Sequence, residues 1–373
     1  MNSNILHITN DYSGSAVYKN LVREIDLLGL SQTVYTPVRN KNQIDKNIIE
    51  IELSDSKIYY RHILKIIDRI LFKNKIRKIV RDIENNVSLD KIQLIHAHTW
   101  FSDGAVAYEL SKKLNIPYII AIRGTDVNIF FKYMLHLRAY GIEILTNAKK
   151  IILISPVLNT KLLALSFFGK RKDELLHKVD IIPNGVDSFW ISNVQSPKTI
   201  IGEKAHLLFV GRFITKKNVL NLCKVVEQLN TDGTSCKLHL VGDGGRDEPK
   251  ILKFIRNKDS FQYYGRVTSK KALKEIFERC DIFTMPSKYE TFGLVYIEAL
   301  SQGLPILYSI NDGIYGYFDT LVGEAVNPNE RDSISSGIKK IICNYEKYDF
   351  NIKEIIANHE WQEIAKKYVS VYN

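Results

Sequence analysis

Cysteine is scarce in this 373-residue chain, and its placement excludes more than its number does. Cys223, Cys236, Cys280 and Cys343 lie far apart, form no C-x-x-C pair and sit in apolar patterns. Reduced packing thiols fit them better than a disulfide framework or a thiolate metal site. Long apolar runs are missing too. The longest near-uniform stretch, 116–122, is strand-sized, far short of the roughly 20 residues a membrane-spanning helix needs. The opening residues carry no basic stretch ahead of an apolar one, and His7 and Thr9 interrupt what apolar character there is. No secretory leader is read, and a cytoplasmic location is expected. No Asp-x-Asp pair occurs, so a common way of holding a diphosphate through a metal ion is absent and no metal is expected.

What is present describes a folded protein. Hydrophobic residues make up 45% of the chain and charged residues 25%, a balance that excludes disorder and low complexity. At this length about two domains are expected. The first half alternates β-rich runs at 4–9, 91–96, 117–122, 150–154 and 178–182 with helical spacing at 17–28 and 106–114. A second series has strands at 206–210, 237–241, 261–264, 281–285 and 305–308 and helices near 219–230, 270–279 and 294–302. The polar stretch 193–204, with Pro197 and Gly202, reads as a linker between domains 1–192 and 205–355. The fold class is therefore α/β: two doubly wound, Rossmann-like domains facing across a cleft, with ligands met after the carboxyl ends of strands.

The most informative string runs from Met285 to Pro305. A strand ends at Met285, a loop carries Glu290, and a helix begins near Phe292 and stops at Gly303. The amides of Phe292, Gly293 and Leu294 then form a helix N-terminus that attracts a phosphate. Glu290 and Glu298 lie eight residues apart, at most roughly 12 Å along a helix axis. That separation suits two carboxylates gripping hydroxyls on either side of a diphosphate. On spacing alone, a surface glutamate complementing the helix dipole is an equal reading.

The whole string is more specific than its spacing. Pro286-Ser287, Glu290-Thr-Phe-Gly293 and Glu298-Ala-Leu-Ser-Gln-Gly-Leu-Pro305 resemble the E-x7-E signature of family 4 retaining glycosyltransferases with the GT-B fold. The resemblance implies that Glu290 holds the donor sugar's hydroxyls, Phe292 to Leu294 the diphosphate and Glu298 the ribose. Val210-Gly-Arg-Phe-Ile-Thr-Lys-Lys217 is similar to the family's strand-end G-R-x4-K, which makes Arg212 and Lys217 diphosphate ligands, with Asn218 where glycine is usual. His239-Leu-Val-Gly-Asp-Gly-Gly245 resembles the second strand and turn, and Tyr264-Gly-Arg-Val267 the base-binding loop, with Val267 beside the base.

The first half is looser. Asp11-Tyr-Ser-Gly-Ser-Ala-Val-Tyr18 resembles the family's glycine loop, placing Gly14 near the donor phosphate, although a plain strand-to-helix turn is an equal reading. Ile95-His-Ala-His98 and Ile122-Arg-Gly-Thr-Asp126 follow successive strands and imply an acceptor side of His98, Arg123 and Asp126. Arg123 stands where many members carry histidine, so it is read as orienting a phosphate or an acidic acceptor. A buried Arg–Asp pair and a satisfied interior histidine are the competing structural readings. The stretch 352–372, with Trp361, resembles the terminal helix that returns to the first domain, here from about 356 to 373.

The resemblance implies an enzyme that moves a hexosyl-type group from a nucleotide sugar, UDP-linked in the first instance, to a hydroxyl of a glycan or lipid-linked glycan in bacterial envelope polysaccharide synthesis. No cofactor is implied beyond that co-substrate. One feature is independent of the signature. Residues 57–81 hold nine Lys/Arg against Asp68, interleaved with isoleucines at helical spacing. Such a helix suits an anionic membrane surface and a peripheral location, or else packs on the core with a solvated basic face. Nucleic acid is disfavoured for want of a recognition motif. Two rivals remain: a non-catalytic basic binding module that explains the net charge of +11, and a nucleotide-dependent oxidoreductase, whose G-x-G-x-x-G would need glycine where Asp247 stands.

Overall fold

The protein is described by a computed structural model covering residues 4–52 and 55–373. It comprises two compact units: Met1–Ile154, Leu158–Asn184 and Trp361–Asn373 form the first, and Ser155–Val157 with Gly185–Glu360 the second. No helix among the described residues is long and apolar enough to cross a membrane.

Among the described residues, seven parallel strands build the first unit: β1 (Asn4–Ile8), β2 (Gln32–Val38), β3 (Lys57–His62), β4 (Ile92–Ala97), β5 (Tyr118–Ile122), β6 (Lys150–Leu153) and β7 (Val179–Ile181). Their order is β3-β2-β1-β4-β5-β6-β7. Helices cover both faces of such a sheet, so its central strands are largely apolar. All five residues of β5, Tyr-Ile-Ile-Ala-Ile, are buried. The helix Trp361–Tyr372 belongs to this unit. Its Trp361, Ile364, Tyr368 and Tyr372 join Ile5, Leu94, Ile119 and Ile152 in one core.

Six parallel strands build the second unit: β8 (Ala205–Val210), β9 (Cys236–Val241), β10 (Phe261–Gly265), β11 (Ile282–Thr284), β12 (Ile306–Ser309) and β13 (Gly323–Val326). Their order is β10-β9-β8-β11-β12-β13. In both sheets the order reverses beside the first strand, between β1 and β4 and between β8 and β11, where loops diverge and leave a crevice for ligands.

Two sequence expectations shift. The stretch 193–204 lies inside the second unit: Gln195 N donates to Ser301 O at 2.9 Å, and Lys198 Nζ reaches Asp281 Oδ1 at 2.9 Å. Its composition is that of a linker, but distant partners tie it down. The chain passes between units at 184/185 and returns at 360/361. The basic segment is also not one helix. Its start forms edge strand β3, a short turn spans Ile66–Arg69, and the helix is Phe72–Asn86, with Ile76, Ile79 and Ile83 facing the core.

Candidate functional site

The second unit's crevice is framed by the loops leaving β8 and β11. From β8 come Gly211 to Lys217, and from β11 come Met285 to Gly293. Lys217 Nζ pairs with Glu290 Oε2 and lies 3.4 Å from Met285 Sδ, so both loops meet at this ion pair. Glu290 is held by its backbone as well. Its N–H donates to Asp312 Oδ2 at 2.9 Å, and its carbonyl accepts from Gly313 N at 3.1 Å. Asp312 and Gly313 follow β12 and were missed in the sequence; the Asp-Gly pair signals a turn but not a partner.

Arg212 is exposed, and its guanidinium has no partner among the described residues. Asn218, where glycine was expected, has φ of +59°. Asparagine tolerates that left-handed conformation. Its Nδ2 ties Pro286 O at 3.2 Å and Pro328 O at 2.7 Å, which locks the β8 loop to the β11 loop. Gly242, in the turn after β9, has φ of +128°, and a Cβ there would fall 2.0 Å from Gly211 O. That approach brings the β9 turn against the β8 loop.

The helix of the long motif is Leu294–Ser301, with Gly293 at its N-cap at φ +87°. A Cβ on Gly293 would meet the Tyr296 ring at 2.7 Å and Glu290 Cγ at 3.1 Å. The main-chain N–H groups of Phe292, Gly293 and Leu294 have no acceptor among the described residues. Together with the dipole they form an anion cradle one residue from Glu290. The Phe292 ring itself is buried against Tyr317, with centroids 5.0 Å apart.

Glu298 sits on that helix, partly buried, and desolvation pushes its carboxyl up to about 7. Asp187 pushes in the same direction and Lys270 opposes it. Those two are joined at 2.6 Å, a partnership with no local trace 83 residues apart in sequence. Val267, itself partly buried, lies three residues before Lys270 in the otherwise exposed loop after β10.

In the first unit Gly14 closes a short turn, its N–H bonding Asp11 O at 3.0 Å, and Ser15 Oγ caps the helix Ala16–Leu27. Tyr18 from that helix meets the His98 ring at 5.1 Å and lies 5.7 Å from the Arg123 guanidinium. Gly14's loop, His98 and Arg123 are therefore brought together. Arg123 Nε donates to His98 O and Nη1 to Asn184 Oδ1, both at 3.3 Å, while Nη2 is buried without a partner.

The roles of His98 and Asp126 shift toward structure. His98 is fully buried in a stack with His7 and His96: its Nε2 is 3.0 Å from His7 Nδ1, and its ring centroid 3.9 Å from that of His96. Burial lowers all three, His7 to about 3, so the rings are neutral. One nitrogen from each lies within 4.8 Å of the others, a spacing that could hold a metal ion, although the Arg123 charge beside them opposes one. Asp126 is 1% exposed. Its carboxylate accepts from Trp100 N at 3.0 Å, Phe101 N at 3.2 Å and Arg123 N at 2.9 Å. It braces the loops after β4 and β5, and its burial keeps it from an acceptor hydroxyl.

Comparison with known proteins gives the family and the fold. Residues 192–359 match the family described as glycosyl transferases group 1, and residues 14–188 match glycosyltransferase family 4. An uncharacterized glycosyltransferase of Methanocaldococcus jannaschii is 26% identical over 77% of this chain and 76% of its own. The alpha-monoglucosyldiacylglycerol synthase of Acholeplasma laidlawii is 24% identical over 83% and 78%. Among solved structures, the lipopolysaccharide outer core galactosyltransferase WaaB in its apo form superposes with a TM-score of 0.75 at 19% identity, over 99% and 98% of the two chains. A trehalose-6-phosphate structure from E. coli, bound with UDP-2-fluoro glucose, gives 0.72 at 12% identity, over 99% of each.

Proposed function

The chain belongs to the family 4 glycosyltransferases of GT-B fold, and from that premise we propose that it moves a sugar from a UDP-sugar to a hydroxyl of a glycan or lipid-linked glycan, with retention, in envelope polysaccharide assembly. The observation that carries this reading is the set of free donors around the Lys217–Glu290 pair. The exposed Arg212 guanidinium and the unpaired amides of Phe292, Gly293 and Leu294 supply positive potential with no protein acceptor. A diphosphate supplies the matching acceptors.

In the proposed reaction the bond between the anomeric carbon and the diphosphate breaks, and the acceptor oxygen bonds to the same carbon on the same face. The acceptor's proton passes to a diphosphate oxygen. Arg212, Lys217 and the helix amides stabilise the charge on that leaving group, a task that two fixed cations and oriented dipoles perform without a metal. Glu290 grips sugar hydroxyls and acts as a positioning group; Glu298 takes the ribose; the Val267 loop lies against the base. Arg123 orients a phosphate or an acidic acceptor on the first unit.

A thermal melt with UDP, GDP, UDP-sugars and NAD, with and without EDTA, tests the donor. A ligand at 100 times its Kd adds about 2.7 kcal/mol, a shift of several degrees. A UDP shift unchanged by EDTA supports the reading. No nucleotide shift, or a shift with NAD alone, overturns it.

A further inference from the structure

The basic segment that the sequence reads as a single amphipathic helix has a different surface once folded. Ile66 and Ile70, in the short turn before the helix Phe72–Asn86, are 81% and 77% exposed, with Ile67 and Leu71 about half exposed beside them. Four large aliphatic side chains within six residues stand in solvent. The helix itself hides its isoleucines, so the apolar surface is a protruding turn and not a helix face.

Cations continue from that turn along one line. Lys73, Arg77 and Arg81 recur every fourth residue of the helix and are all exposed, so they stack on one helical face, and Arg69 is exposed in the turn ahead of them. None has an anionic partner among the described residues. The nearby carboxylates are engaged elsewhere: Asp68 with Lys78 at 3.4 Å, Asp82 with Arg61 at 2.8 Å and Glu84 with Lys113 at 2.7 Å. Like charges one turn apart repel, and this line has no internal compensation.

A hollow of about 630 Å³ runs beside the line. Phe72, Ile76 and Val80 form its apolar side, and Arg77, Arg81 and Lys113 its charged rim. Glu109 there accepts from the Tyr140 hydroxyl and is paired with Lys112 at 3.7 Å, which leaves Glu143 as the hollow's unpaired opposing charge among the described residues. On the adjoining segment, reached through the Phe72–Phe130 ring contact, Tyr133 and Leu135 are also exposed.

We propose that this face of the first unit docks on an anionic lipid bilayer, the Ile66–Leu71 turn entering the headgroup–acyl boundary while Arg69, Lys73, Arg77 and Arg81 lie on the lipid phosphates. A free polyanion would satisfy the cations but leave the isoleucines in water; a bilayer meets both. The proposal stands on this surface alone and adds to the transferase reading a place where a lipid-linked acceptor is met.

The test is pelleting of the full chain with vesicles of phosphatidylcholine, alone or with a quarter of phosphatidylglycerol. Two double variants accompany it, Ile66→Ser with Ile70→Ser, and Arg77→Glu with Arg81→Glu. The wild-type chain should prefer the anionic vesicles, the charge variant should bind them at least about tenfold more weakly, and the apolar variant should also bind weakly. Equal binding to both vesicles, or either variant binding as wild type does, overturns the proposal. An unchanged apolar variant would assign the cations to a soluble polyanion instead. Melting temperature and the UDP shift, recorded for each variant, keep folding and donor binding separate from docking.

Discussion

Lys217 and Glu290, 73 residues apart, form an ion pair that links the loops leaving β8 and β11, the two strands on either side of the second unit's reversal point. The pair fixes the lysine beside the free helix amides before any ligand arrives. Glu290→Ala should therefore release Lys217 as well as remove the grip on the sugar. Sugar transfer should fall by about 100-fold or more, since small misplacements of this kind cost that much, while the far-ultraviolet circular dichroism stays unchanged. Near-normal turnover would remove Glu290 from the site.

Arg212 offers a cleaner separation of binding from folding. It is exposed and unpaired, so Arg212→Ala should change stability by no more than about 0.5 kcal/mol. Losing a charge-assisted bond of about 1.5–3 kcal/mol should weaken UDP binding by roughly 10- to 100-fold. Calorimetric titration with UDP, beside urea unfolding of the same sample, reads both.

Glu298 should impose a pH dependence on donor binding. Its carboxyl is pushed up to about 7, and a ribose diol is gripped by the ionised form. KM for the donor should rise as pH falls from 8 to 6. Glu298→Gln should flatten that profile. Lys270→Met should move its midpoint upward, because Lys270 favours the charged form. A profile unaffected by either substitution would detach Glu298 from the donor.

The stacked imidazoles should make the first unit sensitive to acid. His7 is lowered to about 3 in the folded chain and has an ordinary value near 6.5 when unfolded. Between those values the unfolded state binds the extra proton, so stability falls as pH drops below about 6.5, by about 2 kcal/mol at pH 5. Asp103 and Asp126, raised to about 7 and about 6, act with the opposite sign and mask part of the effect. His7→Gln, compared with wild type in urea at pH 7 and pH 5, isolates the ring: the wild type should lose about 2 kcal/mol more than the variant. Parallel losses would mean that His7 is not held neutral.

Gly293 tests the cradle itself. An alanine there must adopt φ of +87° and bring its Cβ to 2.7 Å from the Tyr296 ring. Gly293→Ala should cost about 1–3 kcal/mol of stability and abolish the UDP-induced thermal shift. A variant that melts and binds UDP as wild type does would place the anion elsewhere.

Most of the second unit was legible in sequence because its strands are mainly apolar runs followed by motif loops. The strands at 205–210, 236–241 and 261–265 fall within a residue of their expected positions. What escaped were strands whose composition argues against them. β2 contains Pro37, which lacks a ladder donor. β3 is an edge strand of lysine, tyrosine, arginine and histidine, and was absorbed into a basic helix. β13 is four residues beginning with Gly323. At the site, residues carried by a motif were found, while Asp312, Asp187, Lys270 and His7 were not. Their importance lies in partners distant in sequence, and no local pattern records it. For the same reason Asp126 looked available, although three distant or neighbouring amides occupy it.

The helix Trp361–Tyr372 is built into the core of the first unit, yet the whole of Gly185–Glu360 precedes it along the chain. During synthesis the first unit's sheet can form early, but the face that receives Trp361, Ile364, Tyr368 and Tyr372 stays uncovered until the second unit has been made. The nascent chain therefore carries an open apolar surface throughout synthesis of the second unit. Completion of the first unit has to wait for the second, and a ribosome stalled between them releases a product that chaperones and proteases should recognise as unfinished.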